Sequence, residues 1–302
     1  MRSLKNRLAG AAAALVAAVG TVGYATPAAA QDGREKFIDP ASVAAAEGSD
    51  TLSFSTRVGF YSDYIWRGIN LYKGVSIQPS AGVFYDTGDF GTVGASLWMQ
   101  LPGDNEQGTL NDKFYELDGT LSYDYTYDIA TFSVGHIWYT DPGYDSVREI
   151  DGQEVEVGEV APDTSEVYLG VSLDLPLNPQ FTAYHDYRTL EYQYYSLSFS
   201  HAFKPKTQFG EGFNLTPFVT FGFASSADDD KLVYTHDGLE HVNVGVSSNL
   251  PLGMLNVHPS FVYNIAADGD KELNIGGQDF SLESRTVNKF YFGVDVSYDF
   301  GI

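Results

Sequence analysis

The sequence predicts an all-β protein: a transmembrane antiparallel up-and-down β-barrel of about 12 strands, with short periplasmic turns and long acidic extracellular loops. Three observations support this fold class. Apolar and polar residues alternate with a period of two from residue 51 onward, which predicts strands with one apolar and one polar face. The alternating segments mostly run 11 to 14 residues, enough for a tilted strand that crosses a bilayer in ~9–11 residues. The connections between them are alternately short and long, except that the external link at 190–192 is tight and the internal one at 205–212 is longer.

Counting the alternating segments gives twelve strands. They lie near residues 51–63, 74–86, 89–100, 113–125, 129–140, 164–175, 180–190, 192–204, 213–224, 239–250, 254–266 and 287–300. Short turns are predicted at 87–88, 126–128, 176–179 and 251–253, and long external loops at 64–73, 101–112, 141–163, 225–238 and 267–286. A soluble β-sandwich also alternates, but it has no reason to keep short connections on one side and long ones on the other.

Three prolines fall inside these predicted strands, and each removes one donor from a ladder of backbone hydrogen bonds. Pro217 and Pro259 lie in the periplasmic halves of their strands, where bulges are expected to accommodate them. Pro79 lies in the middle of its strand, and the sequence offers no explanation for it.

Composition excludes several classes of protein. The 302 residues include no cysteine, which excludes a disulfide scaffold, a cysteine zinc site and a thiol nucleophile. The formal net charge of −23 argues against nucleic acid as a partner. Beyond residue 30 no apolar run approaches the ~18 residues that a membrane-spanning helix needs.

The first fifty residues differ in character from the rest. Three basic residues precede an apolar run at residues 8–22, and an Ala-Ala-Ala cleavage site ends at residue 30. This order predicts a signal peptide and export into a Gram-negative envelope. The predicted organisation is a signal peptide at 1–30, a periplasmic N-terminal extension at 31–50 and an outer-membrane β-barrel at 51–302.

The first predicted hairpin, residues 62–86, carries a short motif. Tyr64, Arg67 and Gly68 form a Tyr-x-x-Arg-Gly step, and Gln78-Pro79 follows on the returning strand. This hairpin resembles the first hairpin of the TorF family of outer-membrane porins. The family's Asp-x-Pro-Ala-x-Gln-Gly run is replaced here by Gln-Pro-Ser-Ala-Gly at residues 78–82. The resemblance implies a pore of unassigned substrate.

Alternation places several charged residues inside the barrel. A twelve-stranded barrel should leave a narrow lumen, and a surplus of carboxylates in a narrow path favours cations. The alternative is that these charges pair with one another and fill the barrel. The residues predicted to set selectivity are Arg57, Arg188 and Lys289 facing Glu116, Asp118, Glu166, Asp186 and Asp295. The loop at 141–163 adds eight acidic residues and one basic residue at the external mouth.

Four inward tyrosines lie on three consecutive predicted strands beside a charged pair. Their ring faces could bind a sugar or an aromatic solute, and the alternative is that they only fill the interior. These candidate solute-binding residues are Tyr168, Tyr184, Tyr192 and Tyr194.

These features predict a porin-like channel for passive diffusion of small polar or cationic solutes. The first alternative is a structural barrel with a filled lumen. The second is a lipid hydrolase with an outward Ser–His pair, but His136 and Ser248 lie on distant predicted strands, so no enzyme is expected. No cofactor or metal site is predicted. The expected partners are outer-membrane lipid, small solutes and the assembly machinery that recognises the C-terminal strand.

Overall fold

The computed structural model describes most of the predicted barrel. The described residues are 51–103, 116–140, 147–150, 153–156, 163–205, 213–226, 237–267 and 288–301. The predicted signal peptide, the predicted extension and most of the acidic loop at 141–163 lie outside these ranges. Within them, no helix is both long and apolar enough to cross a membrane.

Twelve antiparallel strands form one closed barrel, which confirms the predicted fold class and strand count. Each strand pairs with the barrel strands next to it along the chain, and β1 pairs with β14 to close the sheet. The strands β6 and β7 form a separate hairpin. The strands are β1 Thr51–Trp66, β2 Ile69–Asp86, β3 Thr92–Pro102, β4 Glu116–Tyr127, β5 Ala130–Thr140, β6 Val147–Ile150, β7 Gln153–Glu156, β8 Thr164–Leu173, β9 Gln180–Asp186, β10 Tyr192–Ser200, β11 Asn214–Ser226, β12 Gly238–Leu252, β13 Leu255–Ala266 and β14 Lys289–Gly301.

The two faces of the wall differ as the alternation predicts. Along β14, Tyr291, Asp295 and Ser297 are buried inside the barrel, whereas Phe290 and Phe292 are exposed on the outside. The same pattern recurs around the barrel and gives it an outer belt of exposed apolar side chains. The belt includes Val58, Phe60, Leu97, Leu121, Phe132, Leu169, Val244 and Phe261.

Each of the three prolines within strands lies at a position where the backbone pairing with one of its two neighbouring strands is interrupted. The β2–β3 pairing is interrupted at Pro79, and the β12–β13 pairing is interrupted at Pro259. Pro217 lies just beyond the paired end of β10, which stops opposite Phe218. Because proline has no N–H to donate, it fits such gaps without loss of a hydrogen bond. Gaps, and not the bulges predicted for Pro217 and Pro259, therefore accommodate them.

Inward aromatic rings lie flat against glycines on neighbouring strands. The ring of Tyr61 covers Gly59 and, across the β1–β14 pairing, Gly293. A Cβ atom built on either glycine would come closer than 3.0 Å to the Tyr61 ring. The ring in turn directs the Tyr61 hydroxyl to both carboxylate oxygens of Asp295, at 2.8 and 2.7 Å. Glycine is therefore required here so that the aromatic side chain can lie along the wall.

Replacing Gly293 with alanine should lower the free energy of unfolding by ~1–3 kcal/mol, the usual cost of overpacking. The matched control is Gly119→Ala on β4, where an added Cβ would meet its nearest neighbour at an ordinary 3.7 Å. Urea unfolding of the refolded barrel in detergent measures both variants. Equal unfolding midpoints for the two alanine variants would contradict the close packing of Tyr61.

The largest difference from the sequence prediction concerns residues 64–73. They were predicted to form a long external loop, but β1 continues to Trp66 and β2 begins at Ile69, with only two residues between them. The prediction was wrong because these residues extend β1 and β2 as a paired hairpin. This part of the hairpin does not follow the barrel wall. Two other predicted strands, 180–190 and 192–204, end earlier in the structure, at Asp186 and Ser200.

Candidate functional site

The tip of the β1–β2 hairpin leaves the wall and folds into the barrel. The pairing of β1 with β14 ends at Tyr61, and the pairing of β2 with β3 begins at Ser76. Between them, residues 63–73 pair only with each other. We call residues 63–73 the inner hairpin.

Local sequence explains both the departure and the turn. The register of β1 and β2 shifts between Tyr61 and Asp63, where the hairpin separates from the wall. Gly74 has a φ of 121° at the point where β2 returns, a conformation that favours glycine. The two-residue turn places Arg67 at φ 49° and Gly68 at φ 82°, as a type I′ hairpin turn requires.

The inner hairpin is apolar where an external loop would be polar. Tyr64, Ile65, Trp66, Ile69 and Tyr72 are all buried. Except for Ile65, these side chains belong to one aromatic cluster with wall residues of β3, β5 and β8 to β11. Burial of this apolar surface is the main force that holds the hairpin inside the barrel.

Arg67 at the tip forms a fully buried ion pair with Glu166 of β8. Its Nη1 and Nη2 atoms donate to the two carboxylate oxygens at 2.7 and 2.8 Å, and both side chains are 0% exposed. The wall stabilises the carboxylate further, because Tyr139 and Tyr192 donate to it at 2.8 and 2.7 Å. A bidentate, charge-assisted pair of this kind is the strongest hydrogen-bonding arrangement available to arginine.

Aromatic rings surround the same guanidinium. Its Cζ atom lies 4.2 Å from the ring centre of Tyr184 and 4.5 Å from that of Tyr194. Trp66 and Tyr192 follow at 4.7 and 5.9 Å. All four distances lie within the ~6 Å over which a cation is attracted to a ring face. We call Glu166, Tyr184, Tyr192 and Tyr194 the wall cage.

Further contacts attach the inner hairpin to other parts of the wall. Tyr64 donates to Glu116 of β4 at 2.8 Å, and the carbonyl oxygen of Gly68 accepts from Asn264 of β13 at 3.2 Å. At the base of the hairpin, Asp63 pairs with Lys289 of β14. The hairpin therefore crosses the lumen near the end opposite the short β2–β3 and β4–β5 turns, and it contacts strands on several sides.

The predicted lumen residues occupy several environments. Glu116, Asp118, Glu166, Asp186 and Asp295 are buried on the inward face. Arg57 lies inward on β1, opposite Ser297 of β14. Asp186 holds the external turn in place, because its Oδ1 atom accepts from the backbone N–H groups of residues 188–191 at 3.1 to 3.3 Å. Arg188 lies in that turn and is exposed, because β9 ends at Asp186, so the structure does not place it in the lumen.

The half of the lumen near the start of β1 and the end of β14 carries a second group of charges. Asp295 accepts from Tyr61, and Asp299 accepts from Ser55. Arg57 lies in the same region, but among the described residues no carboxylate is within ion-pair distance of it. These charges are therefore not cancelled by direct pairing.

Two histidine contacts bear on the alternative of an enzyme. On the outer face, His136 Nε2 lies 2.6 Å from the Tyr187 hydroxyl. In the lumen, His258 Nε2 lies 3.2 Å from Ser297 Oγ, but no described carboxylate is hydrogen-bonded to that ring. A nucleophile–base pair needs an orienting third group, which neither contact has in the described part of the chain. No group of three or more metal-ligating side chains occurs among the described residues.

Sequence reasoning found part of this site. It placed Tyr168, Tyr184, Tyr192 and Tyr194 near one another. The ring of Tyr184 lies between those of Tyr168 and Tyr194, with centres 5.7 and 6.0 Å away, and the ring of Tyr192 packs on Trp66 at 6.5 Å. It missed the role of Arg67, which it treated only as part of a motif. The available signal was the apolar composition of residues 64–72, which is unlike that of the acidic loops.

No family model and no curated protein matches the sequence. Several solved outer-membrane barrels are similar in structure. The COG4313 outer membrane channel from Pseudomonas putida F1 is 10% identical with a TM-score of 0.48, over 87% of this chain and 100% of that one. LpxR from Salmonella typhimurium is 12% identical with a TM-score of 0.44, over 82% and 99%. OmpT, an outer membrane protein of Vibrio cholerae, is 12% identical with a TM-score of 0.37, over 83% and 99%.

Proposed function

We propose that the protein is an outer-membrane channel for passive diffusion of small polar or cationic solutes, and that the inner hairpin closes it in the conformation described. The observation that carries this proposal is the polar lining of the barrel. Below the inner hairpin the inward face consists largely of small hydroxyl and amide side chains. They include Ser53, Ser55, Ser80, Thr92, Thr120, Ser133, Thr182, Ser196, Ser198, Thr216, Thr220, Asn243, Ser247, Ser260 and Ser297.

The outer belt supports the proposed location in the membrane. A lipid-facing surface must be apolar, and a closed barrel leaves no unpaired backbone edge in hydrocarbon. The exposed Leu, Val and Phe side chains on the outside of the described strands meet the first requirement. The closed pairing of β1 with β14 meets the second.

A structural barrel with a filled lumen is the second candidate. The observation that favours it is the burial of the inner hairpin, whose aromatic side chains pack against the wall with no gap at the ion pair. The two candidates differ in one respect that can be measured. A channel conducts when the hairpin is displaced, whereas a filled barrel stays closed. A lipid hydrolase is not proposed.

The test of the proposed function is ion current through the protein in a planar bilayer under a salt gradient. We expect brief openings in the unmodified protein, long openings once the hairpin is released, and a preference for cations in both cases. A folded barrel that stays silent even when Arg67 or Glu166 is replaced would support the structural candidate and overturn the channel.

Charge in the periplasmic half should set that preference. Replacing Asp295 and Asp299 with asparagine should move the cation-to-anion permeability ratio toward or below one, because Arg57 then dominates the local field. The control is Asp89→Asn in the short 3₁₀ turn Gly88–Phe90 between β2 and β3. The reversal potential in a salt gradient measures the ratio. An unchanged reversal potential in the double variant would exclude these two carboxylates as selectivity residues.

A further inference from the structure

We propose that the wall cage is a binding site for a guanidinium-bearing solute, and that Arg67 occupies this site as an internal competitor. The inference rests on the proposed channel function and names a class of solute for it. Arg67 belongs to the inner hairpin, whereas Glu166, Tyr184, Tyr192 and Tyr194 belong to three wall strands. The site is therefore built by the wall and filled by a side chain from elsewhere.

The wall itself contributes to holding the carboxylate of Glu166, although Tyr192 also accepts from Arg67 Nη1 at 2.6 Å. Two wall tyrosines, Tyr139 and Tyr192, donate to its two oxygens. These hydrogen bonds fix the orientation of the carboxylate, so it would stay in position for another cation when Arg67 leaves. A carboxylate held by neighbours and flanked by ring faces is the arrangement that recognises organic cations.

The geometry selects a planar cation over an ammonium ion. Two N–H groups of Arg67 meet the two oxygens of Glu166 at 2.7 and 2.8 Å, a match that needs the fork of a guanidinium. The faces of Tyr184 and Tyr194 lie 4.2 and 4.5 Å from the guanidinium carbon. An ammonium ion could neither bridge both oxygens in this way nor stack on the rings.

Binding of such a solute and seating of the hairpin exclude each other, because one carboxylate holds one guanidinium. A solute that binds the wall cage would stabilise the conformation in which the hairpin is displaced, because it binds that conformation more tightly than the one in which the hairpin is seated. The tethered Arg67 competes at an effective concentration in the millimolar range. The unmodified protein should therefore bind weakly, and a protein without Arg67 should bind more tightly.

The test is calorimetric titration of the full-length barrel in detergent with methylguanidinium. We expect Arg67→Ala to bind it at least ~10-fold more tightly than the unmodified protein, and to prefer it over methylammonium. In the Arg67→Ala background, Glu166→Gln and Tyr184→Leu should abolish or strongly weaken binding. Tyr184→Phe is the matched control, which keeps the ring and should keep the affinity. If Arg67→Ala does not fold, Arg67→Lys keeps the charge without the bidentate fork and should also bind the probe.

The outcomes separate this inference from the channel proposal. A folded Arg67→Ala barrel that conducts ions but shows no saturable methylguanidinium binding would overturn the wall cage as a solute site and leave the channel standing. Binding of the probe by a barrel that never conducts would support the site and overturn the channel. Equal affinity for methylguanidinium and methylammonium would overturn the assigned chemical class.

Discussion

Trypsin should cleave the Glu166→Gln protein after Arg67 and leave that bond intact in the unmodified protein. Arg67 is 0% exposed at the tip of the inner hairpin, where no protease can reach it. Loss of the carboxylate charge leaves a buried guanidinium without its counterion, which costs about 3–5 kcal/mol. Since 1.4 kcal/mol corresponds to a factor of ten, the displaced population should rise by roughly 100-fold to several thousand-fold.

Mass spectrometry of the tryptic fragments identifies cleavage at this one bond among the other basic sites. The matched control is Asp186→Asn. Asp186 is as deeply buried as Glu166, but its hydrogen bonds go to Thr164 and to the turn at 188–191 and not to the hairpin. Equal cleavage after Arg67 in the two variants would show that general loosening of the barrel, and not release of the ion pair, exposes the bond.

The second large effect is expected for Arg67→Ala in a planar bilayer. The substitution removes the bidentate pair and the four ring contacts together, whereas the apolar packing of the hairpin and the contacts of Tyr64, Asp63 and Gly68 remain. We expect the fraction of time spent open to rise by about tenfold or more, since the lost interactions exceed ~1.4 kcal/mol.

Lys73→Ala provides the control for Arg67→Ala. Lys73 is an exposed basic residue of the same hairpin, and its removal leaves the pair of Arg67 and Glu166 in place. The fraction of time that the Lys73→Ala protein spends open should stay near that of the unmodified protein. If both variants open to the same extent, the effect comes from the charge of the hairpin and not from the buried pair.

Much of the fold could be predicted because barrel strands carry their burial pattern in the local sequence. The segment around β14 was predicted at 287–300 and observed at Lys289–Gly301, since every second residue there is Phe, Val or Tyr. Alternation with a period of two assigns residues to one face of a strand. It does not distinguish a strand in the wall from a strand pair that folds into the lumen. Residues 64–73 were for that reason predicted as a loop.

The site was less accessible to sequence reasoning, because its members are far apart in the chain. Tyr184, Tyr192 and Tyr194 fall on adjacent strands, so alternation alone brings them together. Glu166 was predicted to face inward, but its partner Arg67 lies 99 residues away. No local pattern reports a contact across a lumen. Arg188, which lies closer in sequence to the cage, was selected instead and belongs to the exposed turn.

The seam between β1 and β14 bears on how the barrel assembles. The seam joins residues such as Ser55 and Asp299, which are 244 positions apart along the chain, so its closure carries the largest entropic cost and should come late. The inner hairpin belongs to the first two strands but rests on β4, β8 and β10. It can settle on these strands while the sheet is still an open, curled ribbon. We therefore expect the seam to close around a hairpin that is already in place, which would leave the newly made barrel sealed against leakage.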